Sequence, residues 1–397
     1  MTQIALPLNL PAQPLPAREA ATAGSFETVG FEIGWDHAHH RLTPPAEHLH
    51  GMSPVRQGWE AGRAAFGTRT LKPAPAVQRW LALRLQAWRQ GVPFEDVMLS
   101  PRYLAQIEAT HCPVTREPLS AGDDDAGAAV LMRLDLDSAY AAGNLVMVSR
   151  RVLLARGQAD ASAVAALARR VQEEGRPQLA GLDATQWTRL AALLSLAVES
   201  PHAALACRPL AVLAPNRVRL FNPVQALQTV MTQLFLGEAY ARRMAALGTL
   251  MPDADARRCY FLFMNAMLAR RLALGWSAER ARVRQGLEDA WLHPVIQRRW
   301  EQLALRLRRS DCERIVRLAV QRGLTGQALR WLDASAAAEG WRLECTSAAA
   351  ASAPGVPQDA QRGSTKVDFS RRLRASSSTD ASRSMRKWIS CAPGFSV

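Results

Sequence analysis

Five of the chain's eight histidines, His37, His39, His40, His48 and His50, stand between positions 37 and 50, with Asp36 just ahead of them. Imidazole and carboxylate are side chains from which a transition metal takes its ligands. Asp36 and His40 are four residues apart, so on a helix they share a face. His48 or His50 would then complete a metal site from beyond Pro44-Pro45. The zincin spacing His-Glu-x-x-His is absent, and the plainer expectation is a hydrogen-bonded, histidine-rich helix end.

A second set lies in Leu131-Met132-Arg133-Leu134-Asp135-Leu136-Asp137. Alternation along a strand puts Arg133, Asp135 and Asp137 on one face and sends Leu134 and Leu136 to the core. Two carboxylates on one face begin a site for a hard cation, although such an ion wants more converging oxygens. A salt-bridged strand is the simpler expectation. A third set, Arg299, Arg306 and Arg309, lines one face of a helix expected over 295–309, away from Ile296, Trp300, Leu303 and Leu307. Arginines so placed grip phosphates, or they simply cover the helix as solvated charges. Gly-x-Ser-x-Gly, Gly-x-Gly-x-x-Gly and Walker-type motifs are missing, which removes the easily read hydrolase, dinucleotide and NTPase classes.

The second set sits inside a longer succession. His111-Cys112-Pro113-Val114-Thr115-Arg116-Glu117-Pro118-Leu119 reads as a hairpin, followed by Leu131 to Asp135, then Tyr140-Ala141-Ala142-Gly143-Asn144. Over 111–157 this succession resembles the ββα module of HNH-type endonucleases. The resemblance implies two strands, a helix, and a divalent metal acting on a phosphodiester. It also places Met132 where the family carries a carboxylate, Arg133 at the general-base position, and Leu153 at the metal-binding residue of the helix. Methionine and leucine cannot hold a hard cation. The resemblance therefore implies a degenerate module, with Arg133, Asp135, Asp137 and Asn144 as the remaining catalytic candidates. Cys112, Tyr140, Gly143 and Asn144 are expected to be structural: Gly143 takes a left-handed turn, Asn144 bonds backbone, and Tyr140 packs beneath.

The elements that must position these groups are mostly helices. The expected fold is mainly α with a small α+β (ββα, HNH-like) module and a helical bundle or irregular array in the C-terminal half. Five regions follow: a disordered Pro-rich lead (1–30), short helices (31–109), the module (110–158), a helical domain of six or seven helices (159–344), and a disordered basic Ser/Ala-rich tail (345–397). Val77, Trp80, Leu81, Leu85 and Trp88 mark an amphipathic helix over 76–90. Asp183 and Asn222-Pro223 are start signals, Ser310-x-x-Glu313 is a capping box, and Gly323 is a stop signal.

The net charge of +14 invites a nucleic-acid partner, since clustered cations release counterions from phosphate. Its distribution is uneven: residues 1–150 hold 13 basic against 15 acidic side chains, and residues 151–345 hold 28 against 17. The module itself is not basic. Six cysteines without a C-x-x-C pair argue against a disulfide framework or a four-cysteine zinc site, and make a reducing cytoplasm the expected setting. No secretory signal and no membrane span are read; the most apolar run, 259–269, falls far short of the roughly 20 residues a bilayer needs.

The function expected is that of a catalytically silent HNH-derived protein that binds DNA, RNA or a protein partner. The alternatives are a divergent metal-dependent nuclease and a helical protein-interaction scaffold. No cofactor is expected, unless the clusters above hold a divalent metal.

Overall fold

Helix α1 (Ala23–His39) and helix α2 (Pro54–Phe66) pack with their backbones in contact because glycine stands where they cross. A Cβ on Gly34 would lie 1.9 Å from the Val55 carbonyl oxygen, and one on Gly58 1.9 Å from that of Phe31. Pro54 and Pro75 open α2 and α3 (Pro75–Arg89), where the missing N–H costs nothing. Helix α3 follows the expected stripe and buries Val77, Leu81, Leu83, Leu85 and Ala87. A computed structural model describes residues 23–122, 125–237, 240–275, 279–324 and 330–331, all within the larger of the chain's two compact units, 1–352. The lead expected over 1–30 is corrected at its end. Residues 23–30 are helical, since the prolines stop at Pro16; residues 1–22 and the tail expected over 345–397 lie outside the described residues.

Helix α4 (Pro101–Gln106) is capped by Ser100, whose hydroxyl accepts the Tyr103 N–H at 3.3 Å. A tight turn follows in which Cys112 donates its N–H to the Glu117 carbonyl and Arg116 donates to that of Cys112. Strands β1 (Ala129–Arg133) and β2 (Leu145–Ser149) then pair antiparallel, from Ala129 opposite Ser149 to Arg133 opposite Leu145. Helix α5 (Arg150–Arg156) comes directly after, giving the order strand, strand, helix. Every residue of β2 is buried, because elements cover both of its faces.

Nine helices complete the described part of the unit, against six or seven expected. They are α6 (Ala161–Glu173), α7 (Ala184–Ser195), α8 (His202–Ala206), α9 (Pro223–Leu234), α10 (Tyr240–Gly248), α11 (Ala254–Ala273), α12 (Arg280–Ala290), α13 (Pro294–Ala304) and α14 (Arg309–Gln321). Two short strands, β3 (Arg219–Leu220) and β4 (Arg330–Trp331), pair in parallel. Asp183 forms a full capping box with Gln186. The box expected at Ser310 is displaced: the Asp311 carboxylate takes the Arg308 N–H at 3.0 Å, so the helix starts earlier. Asn222 precedes Pro223 as expected but leaves the helix uncapped, because its amide is drawn to the Ser195 and Val198 carbonyls. Gly323 takes φ +63° past the end of α14.

One apolar cluster runs from Cys112, Val114, Met132, Val146 and Val152 of the strand region through Leu190, Val230 and Phe263 to Ile315 and Ala319. Phe263, Trp291 and Trp300 meet edge-on or tilted at its centre, with ring centres 5.1–5.6 Å apart. A smaller cluster of Leu83, Ala87, Leu99, Leu104, Ile107, Tyr140 and Leu145 ties the first helices to the hairpin. Among the described residues no helix is long and apolar enough to cross a membrane.

Candidate functional site

Strand β1 stops at Arg133, so the alternation expected through Asp137 ends there. Asp135 is buried and Asp137 exposed. The chain turns instead: the Asp135 carboxylate accepts the Asp137 N–H at 3.1 Å and the Ser138 hydroxyl at 2.6 Å. The expectation that Arg133, Asp135 and Asp137 share one face is thus corrected by a side chain that closes a turn on itself.

Three further side chains hold this turn. Arg133 donates from Nη1 to the carbonyls of Leu136 at 2.9 Å and Ser138 at 2.8 Å, and its guanidinium stacks on the Tyr140 ring, 4.6 Å from the centre. Arg156, on α5, donates to the carbonyls of Arg133, Leu134 and Ala159, and burial brings it down to about 10. Asn144 is fully buried; its Oδ1 accepts the Asp135 N–H at 2.9 Å while Nδ2 donates to the carbonyls of Asp135 at 3.0 Å and Ala139 at 2.9 Å. All amide hydrogens of that side chain are used.

Met132 and Leu153 face the apolar cluster rather than the turn. Cys112 is buried against it, with the Ser149 hydroxyl 3.6 Å from its sulfur. Gly143 takes φ +100°, as its type suggested. Tyr140 bonds Gln90 at 2.9 Å through its hydroxyl, and its backbone pairs with Pro93 and Glu95, which clips the turn to the N-terminal region.

The histidine set begins at the end of α1, as the plainer expectation has it, and its members are not arranged as the alternative metal site requires. Asp36 is taken by Arg84, His48 Nε2 lies 3.2 Å from Glu47, and His50 is exposed. His39 stacks on Phe66 with ring centres 4.4 Å apart. Among the described residues no three His, Cys, Asp or Glu side chains are grouped to hold a metal ion. Asp36, His40, His48 and His50 are therefore not brought together, because an ion pair to α3 claims the one carboxylate. Two members are buried, His37 and His48, and His37 Nδ1 lies 2.7 Å from the Ile33 carbonyl.

Burial pushes His37, His40 and His48 below the ordinary 6.5. A folded state that keeps these rings neutral is disfavoured once the unfolded chain begins to bind protons. Their contribution is complete above pH 6.5 and is lost as pH falls from there toward the lowered folded values. The urea midpoint is expected to drop between pH 7.5 and pH 5, and His37→Gln to flatten that drop. An unchanged slope in the variant rejects His37 as a source.

The three arginines proposed to grip phosphate are engaged. Arg299 donates to the Leu262 carbonyl at 2.9 Å, Arg306 pairs with Asp255 at 3.8 Å, and Arg309 pairs with Glu199 at 2.9 Å. The single helix expected over 295–309 is broken after Ala304, so Arg309 belongs to α14 and the three do not form one face.

Sequence reasoning missed Arg156, Ser138 and Arg116. Arg116 has φ +64°, and its guanidinium forms a two-pronged bond to Asp289 at 2.8 Å each and reaches Glu288 at 3.2 Å. Glu288 is buried and also accepts Arg284 at 3.1 Å and the Leu213 N–H at 3.0 Å. No signal within 111–157 points to partners that far along the chain. No protein family, curated protein or solved structure matches the sequence.

Proposed function

We propose that this is a nucleic-acid-binding protein built on a catalytically silent HNH-derived module, with its affinity for phosphate supplied by the basic residues of the helical half. The observation that carries this reading is the use made of the candidate catalytic side chains. Arg133, Asp135 and Asn144 are spent on the backbone and side chains of their own turn. Metal-assisted hydrolysis of a phosphodiester needs a carboxylate and a base turned toward a cation and water. The excess of 28 basic over 17 acidic residues in 151–345 supports the binding half of the reading.

Fluorescence anisotropy with labelled duplex DNA and single-stranded RNA tests it. Binding is expected to weaken steeply between about 50 and 200 mM salt, as counterion release requires. Nicking assays with Mg²⁺, Mn²⁺ and Zn²⁺ are expected to show intact plasmid. Cleavage that disappears in the Asp135→Ala, Asp137→Ala double variant would replace this reading with a divergent nuclease. Absence of binding at the lowest salt would reject a nucleic-acid partner.

A further inference from the structure

Arg219 is one of the described arginines whose guanidinium forms no ion pair with a carboxylate. It is half-buried, and its stem lies across the Gly143 turn so closely that a Cβ there would sit 2.2 Å from Arg219 Cγ and 2.4 Å from Cδ. Its N–H donates to the Gly143 carbonyl at 3.1 Å, which fixes the strand to the turn. Its Nη2 lies 3.6 Å from the Met98 sulfur, and a thioether is a weak acceptor. Among the described residues no ion pair joins Arg219 to a carboxylate. Glu95 is near enough to act on its charge without forming an ion pair with it, and its Oε1 accepts the Met98 N–H at 2.6 Å. Arginines such as Arg84, Arg116, Arg189 and Arg309 each have a carboxylate.

Arg217 adds an independent observation. Val218 donates its N–H to the Pro215 carbonyl at 3.2 Å, and Arg217 occupies the third position of that turn with φ +67°. That conformation belongs by preference to glycine or asparagine. Backbone of this kind is found more often at ligand and active sites than elsewhere. The Tyr103 hydroxyl joins the two features: it accepts the Gly143 N–H at 2.6 Å and reaches the Arg217 carbonyl at 3.5 Å. Burial raises the Tyr103 hydroxyl, while the Gly143 bond and the charges of Arg219 and Arg217 oppose the rise, so both guanidiniums lie within its field. The strand paired with β3 carries Arg330 opposite Arg219. Met98, which is exposed, borders the position.

We propose that Arg219 and Arg217 form a phosphate site over the Gly143 turn, which holds the sugar–phosphate backbone of a nucleic acid. A half-buried guanidinium that meets no carboxylate among the described residues is suited to two-pronged bonding of phosphate oxygens. The site rests on the nucleic-acid reading above and locates it where the strand region, α4 and the helical half converge.

Two variants separate this site from a structural role. Arg219→Met keeps a stem over Gly143 and removes the donors; it is expected to weaken duplex DNA or RNA binding about tenfold at low salt and to lessen the slope of log K against log salt by about 0.9. Arg217→Gly relieves the positive φ, so its thermal midpoint is expected to hold or rise while binding weakens severalfold. Stability and binding moving in opposite directions cannot come from a loss of fold. Wild-type affinity and slope in both variants, with the wild type binding normally, would overturn the site and leave the nucleic-acid reading intact. If the wild type binds neither DNA nor RNA, that reading fails. A thermal shift with millimolar inorganic phosphate, present in the wild type and absent in Arg219→Met, would then overturn the nucleic-acid assignment in favour of free phosphate.

Discussion

Replacing Asn144 with alanine is expected to remove about 4 kcal/mol of stability, because three buried backbone groups lose their partners at once, at roughly 1–3 kcal/mol each and not fully additive. The groups are the Asp135 N–H and the carbonyls of Asp135 and Ala139. No water reaches the side chain, which is 0% exposed, to replace what is lost. Asn144→Asp tests the same point differently. It keeps an acceptor for the Asp135 N–H, but turns carboxylate oxygen toward two carbonyls and buries a charge, so it should be at least as damaging. Urea denaturation followed by tryptophan fluorescence measures both. A loss below about 1 kcal/mol for the alanine variant would mean that the turn is held elsewhere.

The second large effect is expected at Arg116. Its guanidinium bonds Asp289, Glu288 and the Gln285 carbonyl; Arg116→Ala removes these charge-assisted bonds while Arg284 and Arg189 still face the two carboxylates, and should cost about 2–3 kcal/mol. Arg116→Gly removes the same bonds yet accepts φ +64° without strain, and should be less damaging by about 1 kcal/mol. Equal losses in the two variants would show that backbone strain contributes nothing there. Acid titration gives a further readout. Burial acts to raise the Asp289 carboxyl, but bonds and charges from Arg116 and Arg189 outweigh it and hold the group below its ordinary 3.8. A carboxyl lowered by folding stabilises the native state above that value and ceases to do so as pH falls through the lowered one. The acid limb of the stability curve should therefore shrink in either Arg116 variant.

These two side chains also mark where the sequence is readable and where it is not. Local rules placed α3, the Asp183 cap and the left-handed Gly143, since each depends on neighbours within a turn or two. The same rules carried β1 too far, because period-two spacing cannot register that Asp135 prefers the Asp137 N–H and Ser138 hydroxyl to a strand partner. They ran α13 on to Arg309, because an apolar stripe continues through Leu307 across the break at Leu305 to Arg308. Asn144 was legible as a backbone-bonding residue, but its two carbonyl partners appear only when the loop has closed. Arg116 and Asp289 are 173 positions apart, and their pairing follows from the packing of α12 against the Cys112 turn. The histidine set was legible as a cluster in sequence; the ion pair from Asp36 to Arg84, 48 positions away, was not.

The apolar cluster that joins Cys112 to Ala319 bears on how the chain is made. Synthesis is vectorial, and a unit folds when its last contributing segment becomes available. When β1 and β2 leave the ribosome, the helices that will cover them, out to α14, are still unmade. The hairpin must wait with Val146 and Val148 uncovered while some 170 further residues are added. Nascent-chain crowding, chaperone capture and translation speed therefore act on this hairpin more than on α1 and α2, whose contact is completed within a few dozen residues of one another.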